Sequence, residues 1–446
     1  MDRMDRRQLC EAFNVKDITT QRMLDAIDEW YGLYYDWNIP CDEDNSQRMA
    51  FTVVSKLSKT IFSEYEATSE NEYLKSFLDA VEVVRKKLMQ QSLIGGTAWL
   101  KPIVYGDELT FTVVTRDNVV IAGRDRENNV IDMITEEKTE YGGDHYTLME
   151  RRHIEDGRLI ISSKLYRSDD RDSKGKRVPL NALAKYEGIE PEIELPIDNI
   201  GLIPLACPAE NCVDGSDDAV SVFAPATDLI HRINHNEYQL NVEFDNGESR
   251  IMVSNDLMKP DKNGVKQLSD HIFTAIDDDP ENVGIVPYAP ALRTESFLAR
   301  KREYMRNIES LIGFKRGILS EVEAAERTAT EITSSAGDYN LTIIDFQQEW
   351  EKALRKAAEV TAELLKVYKK GTPSFTDDDL IISWGNGVLY DADKTWAEYI
   401  QMVAAGLLKP ELAVAWYFDL PHSTPADLEQ IRAEYMPKLA MLTEGV

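Results

Sequence analysis

Two long helical patterns joined by a charged link, running from Thr294 to Lys370, restrict this chain more than any other feature. The first pattern sets Phe297, Tyr304, Ile308 and Leu311 on one face, at spacings of seven, four and three, and predicts a helix over Thr294–Ile312. The second carries Tyr339, Ile343, Phe346, Trp350, Leu354, Ala357, Leu364 and Tyr368 and predicts a helix over Thr330–Lys370. Between them, Gly313 to Ile332 is rich in charge and in small residues. Thr328 or Thr330 is placed to cap the second helix, and Glu331 can complete a capping box with Thr328. Neither helix holds a recognisable catalytic set. Such a link between two stiff rods suits a mechanical element better than an active site.

A chain of 446 residues exceeds what one core normally supports, so two or more modules are expected. With 43% hydrophobic and 29% charged residues it reads as a folded soluble protein. It contains no run of eighteen apolar residues, which excludes an ordinary transmembrane helix, and its N-terminus leads into no apolar signal segment. Of Cys10, Cys41, Cys207 and Cys212, only the last two are close, and their C-x4-C spacing fits no common zinc pattern. Reduced thiols in a cytoplasm are the expectation. The formal net charge of −29 is the strongest global number. Nucleic-acid binding neutralises phosphates with Lys and Arg, and 50 basic against 79 acidic residues cannot do so globally. Either the protein never meets nucleic acid, or it lets nucleic acid pass without holding it.

Along the chain, residues 1–90 read as helical, with helices over Asp17–Tyr35, Ser46–Phe62 and Asn71–Leu93, the last ended by Gly95-Gly96. The period then changes. Thr97–Tyr105, Leu109–Thr115, Val119–Ala122 and Val130–Thr135 read as strands, and His145–His153 with Arg158–Tyr166 as a hairpin about Asp156-Gly157. Residues 178–215 are Pro-containing and read as an irregular connection. A helix over Pro225–Phe244 follows, with Ala226, Ile230, Ile233, Leu240 and Phe244 at helical spacing. Residues 248–292 form an acidic island of short strand-like runs, Ser249–Ser254, His271–Ile276 and Val283–Tyr288. Inserted between two helices, it reads as a small protruding domain. Asp379–Trp384 is a strand, and helices over Asp391–Ala405, Pro410–Phe418 and Pro425–Leu442 finish the chain.

Candidate chemistry is sparse. His231 and His235 sit four apart on one helix, but no H-E-x-x-H pattern or third ligand accompanies them, and polar helix-face residues are the plainer reading. Gly175-Lys176 lacks the rest of a phosphate loop, and Gly385-Asn386-Gly387 reads as a turn. Asp277, Asp278 and Asp279, and likewise Asp377, Asp378 and Asp379, could collect a divalent cation, although acidic triplets in loops are usually solvated. No G-x-S-x-G turn and no Cys/His nucleophile signature is present. Arg300, Lys301 and Arg302, with Lys315 and Arg316, form local basic patches in an otherwise acidic chain.

The order of these pieces resembles the portal proteins of tailed bacteriophages, the long-tailed siphophage type with wing, stem, clip and crown. The segments carrying the resemblance are Ile312-Gly-Phe314, the link, Thr328-Ala-Thr-Glu-Ile332 and the helix through Phe346–Leu354. Trp30-Tyr-Gly32, Arg85–Leu93 running into Gly95-Gly-Thr-Ala98, Trp384-Gly-Asn-Gly-Val-Leu389 and Met402-Val-Ala-Ala-Gly-Leu-Leu408 support it. The resemblance implies an α+β portal fold. Residues 1–215 would be a mixed wing whose sheet is the strands from Thr97 to Tyr166. Residues 216–245 and 293–312 would be the two stem helices and 246–292 the clip. Residues 313–330 would be a tunnel loop, 331–390 a long helix with a return strand to the wing, and 391–446 a short helical crown.

It further implies a non-enzymatic homo-oligomeric ring, usually a dodecamer, through which double-stranded DNA is packaged and ejected at one capsid vertex of the virion, after assembly in the host cytoplasm. The implied partners are the terminase large subunit, a head–tail adaptor, and the major capsid and scaffolding proteins. No cofactor, metal or membrane is implied. The charge puzzle then has an answer, because every Lys or Arg gripping a phosphate would add friction in a channel. Lys315, Arg316, Glu321, Glu323, Glu326 and Arg327 are the tunnel-loop candidates. Arg300, Lys301 and Arg302 are the channel-facing stem candidates, and Asp277, Asp278 and Asp279 the clip contacts. The competing expectations are another phage head or head–tail connector component, and a metal-dependent hydrolase built on Asp377–Asp379.

Overall fold

The computed structural model describes residues 6–35, 45–105, 108–170, 173–247, 250–253, 259–260, 266–267, 285–288, 291–320, 329–385, 392–418, 420 and 425–436. Helices α1 (Arg6–Phe13), α2 (Gln21–Tyr35), α3 (Met49–Ile61) and α4 (Glu72–Gly95) open the chain, with a short strand β1 (Glu66–Thr68) before α4. Asn71 starts α4 because its side-chain oxygen accepts the N–H groups of Tyr73 and Leu74 at 3.0 and 3.4 Å. The apolar face of α4, through Leu74, Phe77, Val81, Leu88 and Leu93, is buried against α2 and α3 in the main core.

Strands β2 (Thr97–Tyr105), β3 (Glu108–Thr115), β4 (Val119–Arg124), β5 (Val130–Tyr141), β6 (Asp144–Glu155), β7 (Arg158–Ser168), β8 (Lys176–Val178), β9 (Glu192–Leu195) and β10 (Ile203–Ala206) follow. The β6–β7 hairpin turns on Asp156 and Gly157, whose φ values of 50° and 73° match the twist of the flanking strands. The expected single sheet over Thr97–Tyr166 is divided. One antiparallel sheet has the order β10-β2-β3; the other runs β4-β5-β6-β7-β8, with β9 also on β7. The break is a 3-10 turn at Arg116–Asn118, where buried Arg116 donates to Thr19 Oγ1 at 3.0 Å. Residues 178–215, expected to be irregular, contain β9 and β10, both too short to show a period of their own.

The two sheets are tied by charge. Glu150 on β6 is buried and accepts from Lys101 Nζ on β2 at 2.9 Å and Arg152 Nε at 2.6 Å. Arg152 in turn donates to the Ile200 carbonyl at 3.1 Å. Burial by itself would raise the Glu150 pKa, but the two cations and their hydrogen bonds outweigh it and bring it down to about 2.

Helix α5 (Thr227–Asn246) is followed by backbone pairings β11 (Arg250–Val253) with β14 (Ile285–Tyr288) and β12 (Lys259–Pro260) with β13 (Lys266–Gln267). The expected strand His271–Ile276 and the acidic residues Asp277, Asp278 and Asp279 lie outside the described residues. Helix α6 (Thr294–Ile312) returns antiparallel to α5, and α7 (Ala329–Val367) runs 39 residues, roughly 58 Å at 1.5 Å per residue. Its middle buries Ile343, Phe346, Trp350, Leu354, Ala357 and Leu364 in the main core. Trp350 meets Phe62 and Tyr65 edge-on at 5.0 and 6.1 Å between ring centres. β15 (Ile381–Ser383) pairs with β1, closing the chain back onto the N-terminal helices. Three helices end it: α8 (Ala392–Ala404), α9 (Pro410–Phe418) and α10 (Pro425–Tyr435). No described helix is long and apolar enough to cross a membrane.

The Glu150 linkage has a definite sign. A carboxylate with a depressed folded pKa contributes stability above its ordinary value of about 4.5, and loses it as pH falls toward about 2. Urea unfolding across that window should lose roughly 3 kcal/mol attributable to this group. In Glu150→Gln that part of the acid slope should vanish, with lower stability at neutral pH. An unchanged slope would show that the sheets are not held this way.

Candidate functional site

The antiparallel pair α5 and α6 and the chain leaving α6 form the most unusual constellation in the molecule. α6 ends at Gly313, whose φ of 76° suits a residue without a side chain. A Cβ there would also lie 2.5 Å from Thr342 Oγ1 on α7. The Phe314 N–H then closes the helix onto the Glu309 carbonyl at 2.7 Å, and the Phe314 ring is buried.

The Glu309 side chain does more. It has no exposed surface, and its Oε1 accepts the N–H groups of Gly317, Leu319 and Ser320 at 3.0, 2.6 and 2.8 Å. Its Oε2 accepts from Ser320 Oγ at 2.8 Å. From the other side, Lys56 Nζ on α3 donates to the Ile318 carbonyl. The first eight residues after α6 are therefore a folded root, not a free loop. A carboxylate inside a protein is tolerated only with such a set of donors.

Helical geometry takes apart the basic triplet seen in the sequence, because successive residues point about 100° apart. Arg300 lies over the Tyr304 ring at 4.6 Å. Lys301 turns to another flank, where Nζ donates to Gln47 Oε1 at 2.5 Å and Glu237 Oε2 at 2.9 Å. Arg302 is half-buried and is also engaged. Lys315 is half-buried and Arg316 exposed, both on the root turn. Glu321, Glu323, Glu326 and Arg327, and the capping residue Thr328, lie outside the described residues.

On one flank of the helix pair is a groove of about 450 Å³ that includes Arg232, His235, Arg293, Phe297, Arg300 and Tyr304. Arg293 is held by a two-pronged pair with Glu243 at 3.0 and 2.7 Å. Arg300 first, and Arg232 second, act on the Tyr304 hydroxyl and lower its pKa. The sequence reading missed Glu309 and Arg232. The first was detectable as a charge flanked by Ile308 and Ile312 on a core-facing stripe; nothing distinguished the second.

The other candidates have ordinary partners. His231 pairs with Glu29 at 2.7 Å, and His235 stacks on Tyr238. Asp379 closes a capping box with Thr376, and Asp377 faces Arg355 at 3.6 Å. Cys10, Cys207 and Cys212 are free thiols.

A family model for phage portal proteins, described as SPP1 Gp6-like, matches residues 61–435. The chain belongs to this family. The match begins at the end of α3 and runs to the end of α10, so the paired helices, the root and α7 all lie inside it. Comparison with curated proteins finds no match.

Replacing Glu309 by Ala strips the shared acceptor from three backbone N–H groups, at about 1–3 kcal/mol for each buried donor left unpaired. Hydrogen exchange at Gly317, Leu319 and Ser320 should accelerate at least tenfold, while amides in the centre of α7 hold their protection. Equal protection in the variant would remove the root from the account.

Proposed function

We propose that this portal protein is a structural conduit and not a catalyst: a ring of identical copies, most simply twelve, around an axial channel at one capsid vertex. Residues 1–215 would form the wing, α5 and α6 the stem, 246–292 the clip, and 391–446 the crown. α6 borders the channel, residues 313–330 project toward its axis, and α7 braces that segment against the main core. The observation that carries this reading is the root held by Glu309. A loop that must present side chains to a moving polymer needs one fixed end, and a buried carboxylate with four donors provides it.

The charge balance supports the same reading. A net charge of −29 disfavours tight association with a polyanion, so a duplex meets little lasting attachment as it moves. Lys315 and Arg316 on the root, with Arg327 beyond it, supply the few cations that touch phosphates in passing. Double-stranded DNA enters during packaging, driven by the terminase large subunit docked at the clip, where Asp277, Asp278 and Asp279 would make contacts. It leaves during ejection through a head–tail adaptor at the same site. Major capsid and scaffolding proteins surround the wing at the virion vertex, after assembly in the host cytoplasm.

Electron-microscopy class averages of the purified protein should show a ring with a central hole. Lys315→Glu with Arg316→Glu should leave that ring intact and reduce the amount of DNA packaged by several-fold in an assembly reaction. A homogeneous monomer across the micromolar range would overturn the proposal.

A further inference from the structure

The groove between α5 and α6 contains cations without an acidic partner among the described residues. Arg232 and Arg300 are exposed, and among the described residues neither has a carboxylate within ion-pair distance. Their neighbours differ: Arg293 is taken by Glu243, and Lys301 by Glu237. The same two helices carry Asp228, Asp245, Glu295 and Glu303, all exposed and with no ion pair among the described residues. Glu295 is five positions from Arg300, which places it about 140° away around the helix. Glu303 is nearer, yet the Arg300 guanidinium lies over the Tyr304 ring. Asp228 is four positions from Arg232, about 40° around α5, and so borders the groove, whereas Asp245 is about 140° from Arg232; the helix pair thus bears unmatched cations in one stripe, with Asp245 and Glu295 as unmatched anions outside it.

We propose that this groove receives carboxylate side chains from the α5–α6 pair of an adjacent copy of the chain, with Arg232 and Arg300 as the residues that bind them. The inference rests on the ring reading above. A ring contact joins two different patches of one subunit, so an acidic stripe and a basic groove on the same helix pair are the complementary halves it requires. A guanidinium lying over an aromatic face keeps its planar edge free for a two-pronged bond to a carboxylate. The Tyr304 hydroxyl, already flanked by both arginines, has its own proton left to donate. Groove size favours side chains over a duplex. About 450 Å³ beside the Phe297 and Tyr304 rings encloses one or two carboxylates, whereas a DNA backbone is met by cations standing proud of a surface. A single exposed pair contributes little, but a ring repeats it at every interface.

Three chains, examined by mass photometry against salt concentration, decide the matter. Wild type should form the ring. R232E/R300E should retain its circular-dichroism spectrum and melting temperature but require at least tenfold more protein to assemble. Adding D245K and E295K to that variant should restore assembly, because the reversed charges again face opposite signs. If R232E/R300E is poorly folded, R232Q/R300Q replaces it, with the same loss expected in weaker form. Rings as stable as wild type in the folded arginine variant would overturn the inference and leave the ring reading standing. Normal rings that have lost only DNA packaging would assign the groove to phosphates and overturn it equally. Failure of the wild-type chain to form rings would instead overturn the ring reading on which the inference stands.

Discussion

Glu309 brings a negative charge into the place where α6 hands over to the chain leading to α7, and everything near it is arranged around that charge. Carboxylates are expensive to bury, and three backbone N–H groups with one hydroxyl satisfy the oxygens of this one. The reverse dependence matters as much. Without the carboxylate, the backbone from Gly317 to Ser320 has no regular ladder to join, and the N–H of buried Ser320 would lose its acceptor. The conformation of Gly317 to Ser320 therefore depends chiefly on one side chain.

Electrostatics recurs at a larger scale. Glu150 joins two sheets through Lys101 and Arg152, and buried Arg116 joins the sheet boundary to the loop before α2. Long, partly buried pairs of this kind suit a body that must hold shape under load, since they constrain the relative position of layers more than apolar contact does. Apolar contact is concentrated elsewhere, in the cluster where Trp350 meets Phe62 and Tyr65 and fastens α7 to the N-terminal helices. The root belongs to the same cluster, where Ile308, Ile312 and Phe314 are buried together with Ile343 and Phe346 of the long helix.

Much of the fold was legible because its periods are strong. The helix over Thr294–Ile312 is found with the expected limits, and those over Ser46–Phe62, Asn71–Leu93, Pro410–Phe418 and Thr330–Lys370 within a few residues. The Asp156-Gly157 hairpin is also found, since positive φ at both positions leaves few alternatives. What failed was short or paired across long distances. β1, β9 and β10 are three or four residues each, and only their partner strands make them strands. The division into two sheets falls at the turn that carries Arg116, a charge whose burial no local pattern announces. Leu311, placed on the apolar face by spacing, is half exposed, whereas Ile308, Glu309 and Ile312 of the same turn are buried, so the packed face of α6 lies to one side of it.

Site residues divide along the same line. By itself the sequence determined that two long helices flank a charged link, that an acidic insertion interrupts the preceding pair, and that the whole balance is strongly negative. Those features depend on periodicity and composition, which need no partner to be read. It could not determine that Lys301 turns away from Arg300, that Arg232 joins Arg300 across a helix boundary, or that Glu309 is the anchor of the root. Each depends on which flank of one helix meets another, and a helix resolves neighbouring residues by about 100° only once its own orientation is known. Tertiary packing sets that orientation, so it alone decided which of the charges are structural and which are left facing outward.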